Sequence, residues 1–387
     1  QTSAVNNNSR DVKFEDEIMG ELIRFVSAHE VGHTIGLPHN MGSSFAYHVD
    51  SLRSPTFTAN HGVAPSIMDY ARFNYVAQPE DGVTNFYPRV GEYDIWSVKW
   101  GYTYFDGENQ NTEKEILNKW IKEKSNNYQY WFGYSNGIDP RSQTESIGSD
   151  NMDASYYGLL NLKRIVPNLI NWTYEDGKNY DDLKELYLNV YSQFRRYIGH
   201  VSTNVGGIYE NLKSNDQDGD VYTHVPKNLQ KKAIAFLNSH VFSSLDWLVN
   251  RDVLSKIENI GAQERVRSIQ EFALRRLFDY SRLARMLENE SMNGKLAYSI
   301  NEMIIDLDKS IWGDLETASP TNIYNRNLQK SYINLLIDMM EEDKKQSSYA
   351  RRFGTNIDYA SSDIKPIFVG KIFDLDRKIK NKIKRTR

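Results

Sequence analysis

The chain has 387 residues, 40% hydrophobic and 25% charged, with a formal net charge of −4. This is a globular composition with room for two or three domains, and its near-balanced charge gives no electrostatic reason to expect nucleic acid as partner. With no cysteine, disulfides, thiolate metal ligands and a cysteine nucleophile are excluded.

The chain opens at Gln1 without an initiator methionine, which reads as a processed or cropped end from which targeting information has been removed. Residues 1–14 are polar, Asn-rich and irregular. A helical pattern follows over 16–35, with Met19, Leu22, Ile23, Val26 and Ile35 as its expected buried stripe. Gly36 is a left-handed stop, and Pro38 bars continuation. Residues 40–90, rich in Ser, Asn, Pro and Gly, read as long ordered loops of the kind that frame a site. A short aromatic helix is expected from Tyr93 to Trp100, closed by Gly101. Thr112 and Glu115 then have capping-box spacing ahead of Ile116, Leu117, Trp120 and Ile121.

The remainder reads as helices at about 152–173, 181–199, 226–240, 262–287, 295–308, 320–342 and 363–385, with Ser319-Pro320 as a cap and first-position pair. No segment reaches the roughly 18–20 apolar residues that span a bilayer, so no transmembrane segment is expected. No repeat of fixed period appears. Near residue 105 the chain divides into a site-bearing part, 1–105, and a helical part, 106–387.

The chemistry concentrates in His29-Glu30-Val31-Gly32-His33-Thr34-Ile35-Gly36-Leu37-Pro38-His39. His29 and His33, four apart, project from one helix face one turn apart, a spacing that lets both imidazoles reach one zinc ion. Gly36 permits the turn that brings His39 back as third ligand. Three neutral imidazoles and an open position make a catalytic rather than a structural zinc site. Glu30 lies beside the first ligand, placed to take a proton from zinc-activated water and pass it to a leaving amine. Histidine pairs with this spacing and a Glu arise by chance in roughly one such sequence in a hundred; the added Gly and third His lower that to about one in 10⁵.

That string resembles the extended zinc motif of the metzincins. Pro65-Ser66-Ile67-Met68-Asp69-Tyr70, with Met68 lying 29 positions after His39, resembles their Met-turn. The resemblance implies that Met68 forms an apolar floor beneath the imidazoles without touching zinc. It also implies that Tyr70 either joins the metal or donates a hydrogen bond to the oxyanion, a task suited to a phenol. More narrowly, the segments HNMGSS, PSIMDYARFNYVAQPED and GEYDIWSVKWGY resemble a bacterial Met-zincin family of large secreted or envelope-associated proteins. Asp139-Pro140-Arg141 through Gly148-Ser149-Asp150 and the stretch from Gly158 to Lys163 resemble its C-terminal part. The family pattern has a basic residue where Pro38 stands.

The resemblance implies an α+β fold, mostly helical in this chain: the C-terminal part of a metzincin catalytic domain (1–105) followed by an α-helical domain (106–387). Metzincins place a sheet before the active-site helix, and only about fifteen residues precede it here. The expectation is therefore a C-terminal portion of a longer protein, whose upstream region would be a partner of this chain, in a periplasmic or extracellular setting.

Other signals receive simpler readings. Asn215–Asp220 lacks the acid an EF-hand needs at Val225 and reads as a Gly-centred turn between short strands. In the C-terminal lysine run, Ile372, Leu375, Ile379 and Ile383 form one packing stripe. His61 lies near the cleft loops without ligand spacing, and Asp69 and Glu80 are surface acids that could alternatively support a ligand histidine. The reading is a zinc-dependent endopeptidase acting on polypeptide substrates. Its alternatives are a catalytically lapsed zinc-containing binding or scaffold module of a larger envelope protein, and hydrolysis of a non-peptide amide.

Overall fold

The computed structural model describes residues 2–71, 73–317, 321–341 and 363–386. Ser319 and Pro320, expected as a helix start, lie outside the described residues. The chain divides into two compact units: Gln1–His200 with Tyr209–Val221, and Val201–Ile208 with Tyr222–Arg387.

In the first unit, helix α1 spans Asp16–Thr34 and α2 Pro55–His61. Helices α3 (Glu92–Tyr102) and α4 (Gln110–Lys124) follow, then α5 (Asn151–Ile165), α6 (Leu169–Trp172) and α7 (Asp181–Ser202), the last of which ends just across the boundary. Apart from α2, the described residues of 35–91 are loops with short 3-10 turns, as their Gly, Pro and Ser content predicts. Helix α4 starts three residues earlier than the Thr112 capping pattern implies. Its cap is Asn109, whose side chain accepts from the amides of Asn111 and Thr112. Gly101, expected to close α3, lies inside it.

The buried stripe expected on α1 is not observed. Met19, Ile23 and Val26 are 42%, 58% and 51% exposed, and the buried positions are Ile18, His29 and Gly32. Periodicity puts Met19, Ile23 and Val26 on one face, but that face is open in this chain.

The second unit holds α8 (Lys227–His240), α9 (Arg251–Ile257), α10 (Ala262–Leu277), α11 (Tyr280–Asn293), α12 (Ile300–Ile311), α13 (Gly313–Thr317), α14 (Ile323–Glu341) and α15 (Ile364–Thr386). The single helix expected over 262–287 is split, because Asp279 turns its side chain to the amide of Arg282 and starts a new helix. Within this unit α10 packs on α14, α14 on α15, and α8 on α12. Leu375 of the α15 stripe is buried. Strand content among the described residues is one two-stranded sheet of Ile208–Glu210 and Tyr222–His224. The turn before the second strand carries Gly219 at φ +86°. The protein is mostly helical, and no described helix is long and apolar enough to cross a membrane.

Candidate metal centre

Helix α1 ends in a hydrogen-bonded reversal. Gly36 has φ +87°, a conformation glycine reaches without steric cost. Its amide donates to the carbonyl of His33, and that of Leu37 to the carbonyl of Gly32, both at 3.0 Å. This paired closure satisfies the last helical carbonyls and reverses the chain within four residues. His39 is thereby returned to the face that carries His29 and His33.

The three imidazoles converge. One ligand nitrogen from each of His29, His33 and His39 lies within 4.8 Å of the others, and the ring centroids are 4.6–5.2 Å apart. His29 Nδ1 lies 2.8 Å from the carbonyl oxygen of Ile67, and His33 Nδ1 lies 2.9 Å from that of Leu37. A carbonyl can only accept, so both Nδ1 atoms carry the proton and both Nε2 lone pairs are free for a metal. The Nε2 atoms of His33 and His39 are 3.0 Å apart; nitrogens in a tetrahedral zinc shell lie about 3.3 Å from each other. His29 is buried, and its Nε2 has no hydrogen-bond partner. A buried nitrogen left in that state calls for another partner, and a zinc ion fits the donor set. Burial lowers the proton affinity of His39, as do His33 and His29 beside it; Glu30 acts in the opposite sense. Low proton affinity keeps an imidazole available for ligation.

Glu30 is exposed on α1, next to His29. Tyr70 is half-buried and packs across the cluster, its ring stacked on His29 at 5.1 Å and tilted against His39 at 4.6 Å. Met68 is wholly buried. A Cβ placed on Gly32 would sit 2.3 Å from Met68 Sδ, so Gly32 is required for the methionine to approach α1.

The turn that carries Met68 is clasped by Asp94, a residue sequence reasoning missed. One oxygen of Asp94 accepts from the Ser66 hydroxyl at 2.6 Å. The other accepts from the amides of Ile67 at 2.8 Å and Gly91 at 2.9 Å. Burial pushes its carboxyl upward, against the lowering effect of these bonds. The available signal was its spacing: with Gly91 as cap, Asp94 is the third residue of α3, where an acid serves the cap amide. Asn40 and Glu145 were also missed. The Asn40 amide nitrogen of the backbone donates to the Met68 carbonyl at 3.0 Å, and its side chain joins Trp131 and Gly133. Glu145 donates its backbone N–H to the Tyr70 carbonyl at 2.9 Å while holding φ +62°, a strained value for a residue with a Cβ. Its carboxylate pairs with Arg196 at 2.6 Å.

The supporting acids weighed from the sequence act elsewhere. Asp69 is buried and accepts from the Ser44 amide at 2.6 Å. Glu80 lies 3.7 Å from Arg164 in an exposed pair. His61 bonds Glu92 at 2.9 Å rather than joining the cluster. Backbone carbonyls hold the ring nitrogens of His29 and His33.

Compared with known proteins, residues 11–319 match the family model described as Met-zincin. No curated protein and no solved structure matches the chain.

Proposed function

The chain belongs to the Met-zincin family, and from that membership we propose that it is a zinc-dependent metallopeptidase that hydrolyses internal peptide bonds. The single observation that carries the reading is the convergence of three imidazoles with a buried, unpartnered Nε2 on His29. His29, His33 and His39 would hold zinc. Bound there, zinc would polarise the scissile carbonyl and make water a better nucleophile at neutral pH.

The chain's own groups supply the rest. Glu30 takes a proton from the attacking water and returns it to the leaving amine. The Tyr70 phenol, packed across the cluster, donates a hydrogen bond to the oxygen on which charge develops. Met68 fills the space under the imidazoles, in the manner of a Met-turn, and the Asp94 clasp keeps that turn in place. Residues 1–105 carry these groups, with 106–387 as the helical part. The segment from Trp131 to Ser146 contributes the bonds that fix Asn40, Ser44 and Tyr70.

The exposed Met19, Ile23 and Val26 on α1 support the reading that an upstream region of a longer protein packs there. A periplasmic or extracellular location is proposed with it. Glu30 argues against a lapsed scaffold, which would have no chemical need for a general base.

The test is to incubate the zinc-loaded chain with a mixed peptide library, beside a chelator-treated sample. Internal cuts that depend on zinc support the reading; intact polypeptides with small amides cut would replace it with an amidase.

A further inference from the structure

A cavity of about 700 Å³ lies within the first unit, next to the metal centre. That volume is in the range of ligand pockets, roughly 300–1,000 Å³. Its walls are aromatic: Trp96, Trp100, Tyr128, Tyr130, Trp131 and Phe132 all line it. Several are open to solvent, with Trp100 36% and Tyr128 46% exposed. Large rings held at a concave surface with their faces exposed are suited to apolar or aromatic groups.

Three further features narrow the occupant. Lys124 and Lys213 are in the lining, and no Asp or Glu is. Lys124 holds its ammonium 4.4 Å over the ring of Tyr130, at the aromatic wall itself. The remaining polar side chains include Asn126 and Gln217, amides able both to donate to and to accept from a peptide backbone. The cavity is thus apolar in its walls and cationic in its charge.

Its position links it to the chemistry. Ile35, Gly36, Leu37 and Pro38 form part of its wall, and these are four of the five residues between His33 and His39. The Leu37 carbonyl holds the His33 ring, and Tyr102 on the cavity side donates its hydroxyl to the Ile35 carbonyl at 3.0 Å. One reversed turn therefore has the metal ligands at its ends and the cavity along its side. An extended polypeptide advances about 3.3 Å per residue, so a chain engaged at the metal centre reaches past this turn within a few residues.

We propose that this cavity is a substrate subsite for a polypeptide segment bearing bulky aromatic residues flanked by acidic ones. The proposal rests on the peptidase reading for its biological use, but binding can be read without cleavage.

The test is titration calorimetry of the full chain with three probes: acetyl-Asp-Phe-Phe-Asp-amide, its Ala-Ala counterpart, and acetyl-Lys-Phe-Phe-Lys-amide. The aromatic acidic peptide is expected to bind at least ten-fold more tightly than the alanine peptide. It should also exceed the lysine-flanked one several-fold at low salt, with the gap closing as salt screens the charges. Trp100→Ala should abolish the aromatic preference with an unchanged far-ultraviolet circular dichroism spectrum. Lys124→Glu, on a different element, should reverse the preference between flanks. Equal binding of the aromatic and alanine peptides, or affinities indifferent to both variants, would overturn the proposal. Absence of cleavage by the zinc-loaded chain, with these affinities intact, would overturn only the peptidase reading.

Discussion

His29 is held by a residue 38 positions away: its Nδ1 donates to the carbonyl of Ile67 at 2.8 Å. The Ile67 amide in turn donates to Asp94 at 2.8 Å, so the backbone of one residue links a buried carboxylate to the imidazole of His29. Partners behind a ligand histidine fix its tautomer and direction.

Asp94→Asn replaces one acceptor oxygen with an NH2 group, which would face an N–H or O–H donor already in place. Zinc affinity, measured by competition with a chromophoric chelator, is expected to fall about ten-fold. The visible spectrum of the cobalt-substituted chain should change with it. An Asp94→Asn protein of unaltered affinity and spectrum would mean that Asp94 does not orient His29.

Gly32→Ala tests the contact between α1 and Met68. In an open helix this change stabilises by up to about 1 kcal/mol. Here the new methyl would meet Met68 Sδ at 2.3 Å, and overpacking of this kind costs about 1–3 kcal/mol. Urea unfolding should show the loss, and a second change, Met68→Ala, should cancel part of the clash in a double-mutant cycle. Strict additivity of the two changes would refute the contact.

Asp69 sets a pH dependence. Burial raises its carboxyl from the ordinary 3.8 to about 7, partly offset by hydrogen bonds from Ser44. Between those values the folded chain keeps a proton that the unfolded chain has released. Stability from this group therefore declines as pH rises from about 4 to about 7, and stays low above. Thermal unfolding in the presence of a chelator should show a Tm slope over this window that flattens in Asp69→Asn. An identical slope in the variant would locate the dependence elsewhere.

Arg141 and Asp139 form a buried bidentate pair, at 3.1 and 2.7 Å, with side chains 3% and 2% exposed. The guanidinium also lies over the rings of Trp131 (4.5 Å) and Tyr209 (4.2 Å). Arg141→Met strands a buried carboxylate and is expected to cost about 3–5 kcal/mol in denaturant unfolding. The double change with Asp139→Asn should cost less than the single one. A single-variant loss below about 1 kcal/mol would refute this account of the pair.

Local features of the site were legible in the sequence. The α1 helix, the Gly36 reversal and the convergence of His29, His33 and His39 follow from spacings of three to six residues, over which local backbone geometry decides positions. Contacts between distant segments were not. Asp94 is 27 residues from Ile67, and Asn40 is 91 from Trp131, distances over which no periodicity operates. The supports of His29 and His33 are backbone carbonyls, which leave no mark on side-chain identity. For Met19, Ile23 and Val26, spacing identifies a shared face but not whether anything covers it. Asp279 splits a helix because a side-chain cap competes locally with helix continuation.

The most direct test compares the zinc-loaded chain with its Glu30→Gln variant on a mixed peptide library, with cut products read by mass spectrometry. Glu30→Gln keeps size and leaves the three histidines in place, so zinc should bind one to one in both. The account predicts internal cleavage by the unaltered chain and a loss of about 10²–10⁴-fold in the variant. Equal cleavage by both proteins, or none by either with zinc bound, would contradict it.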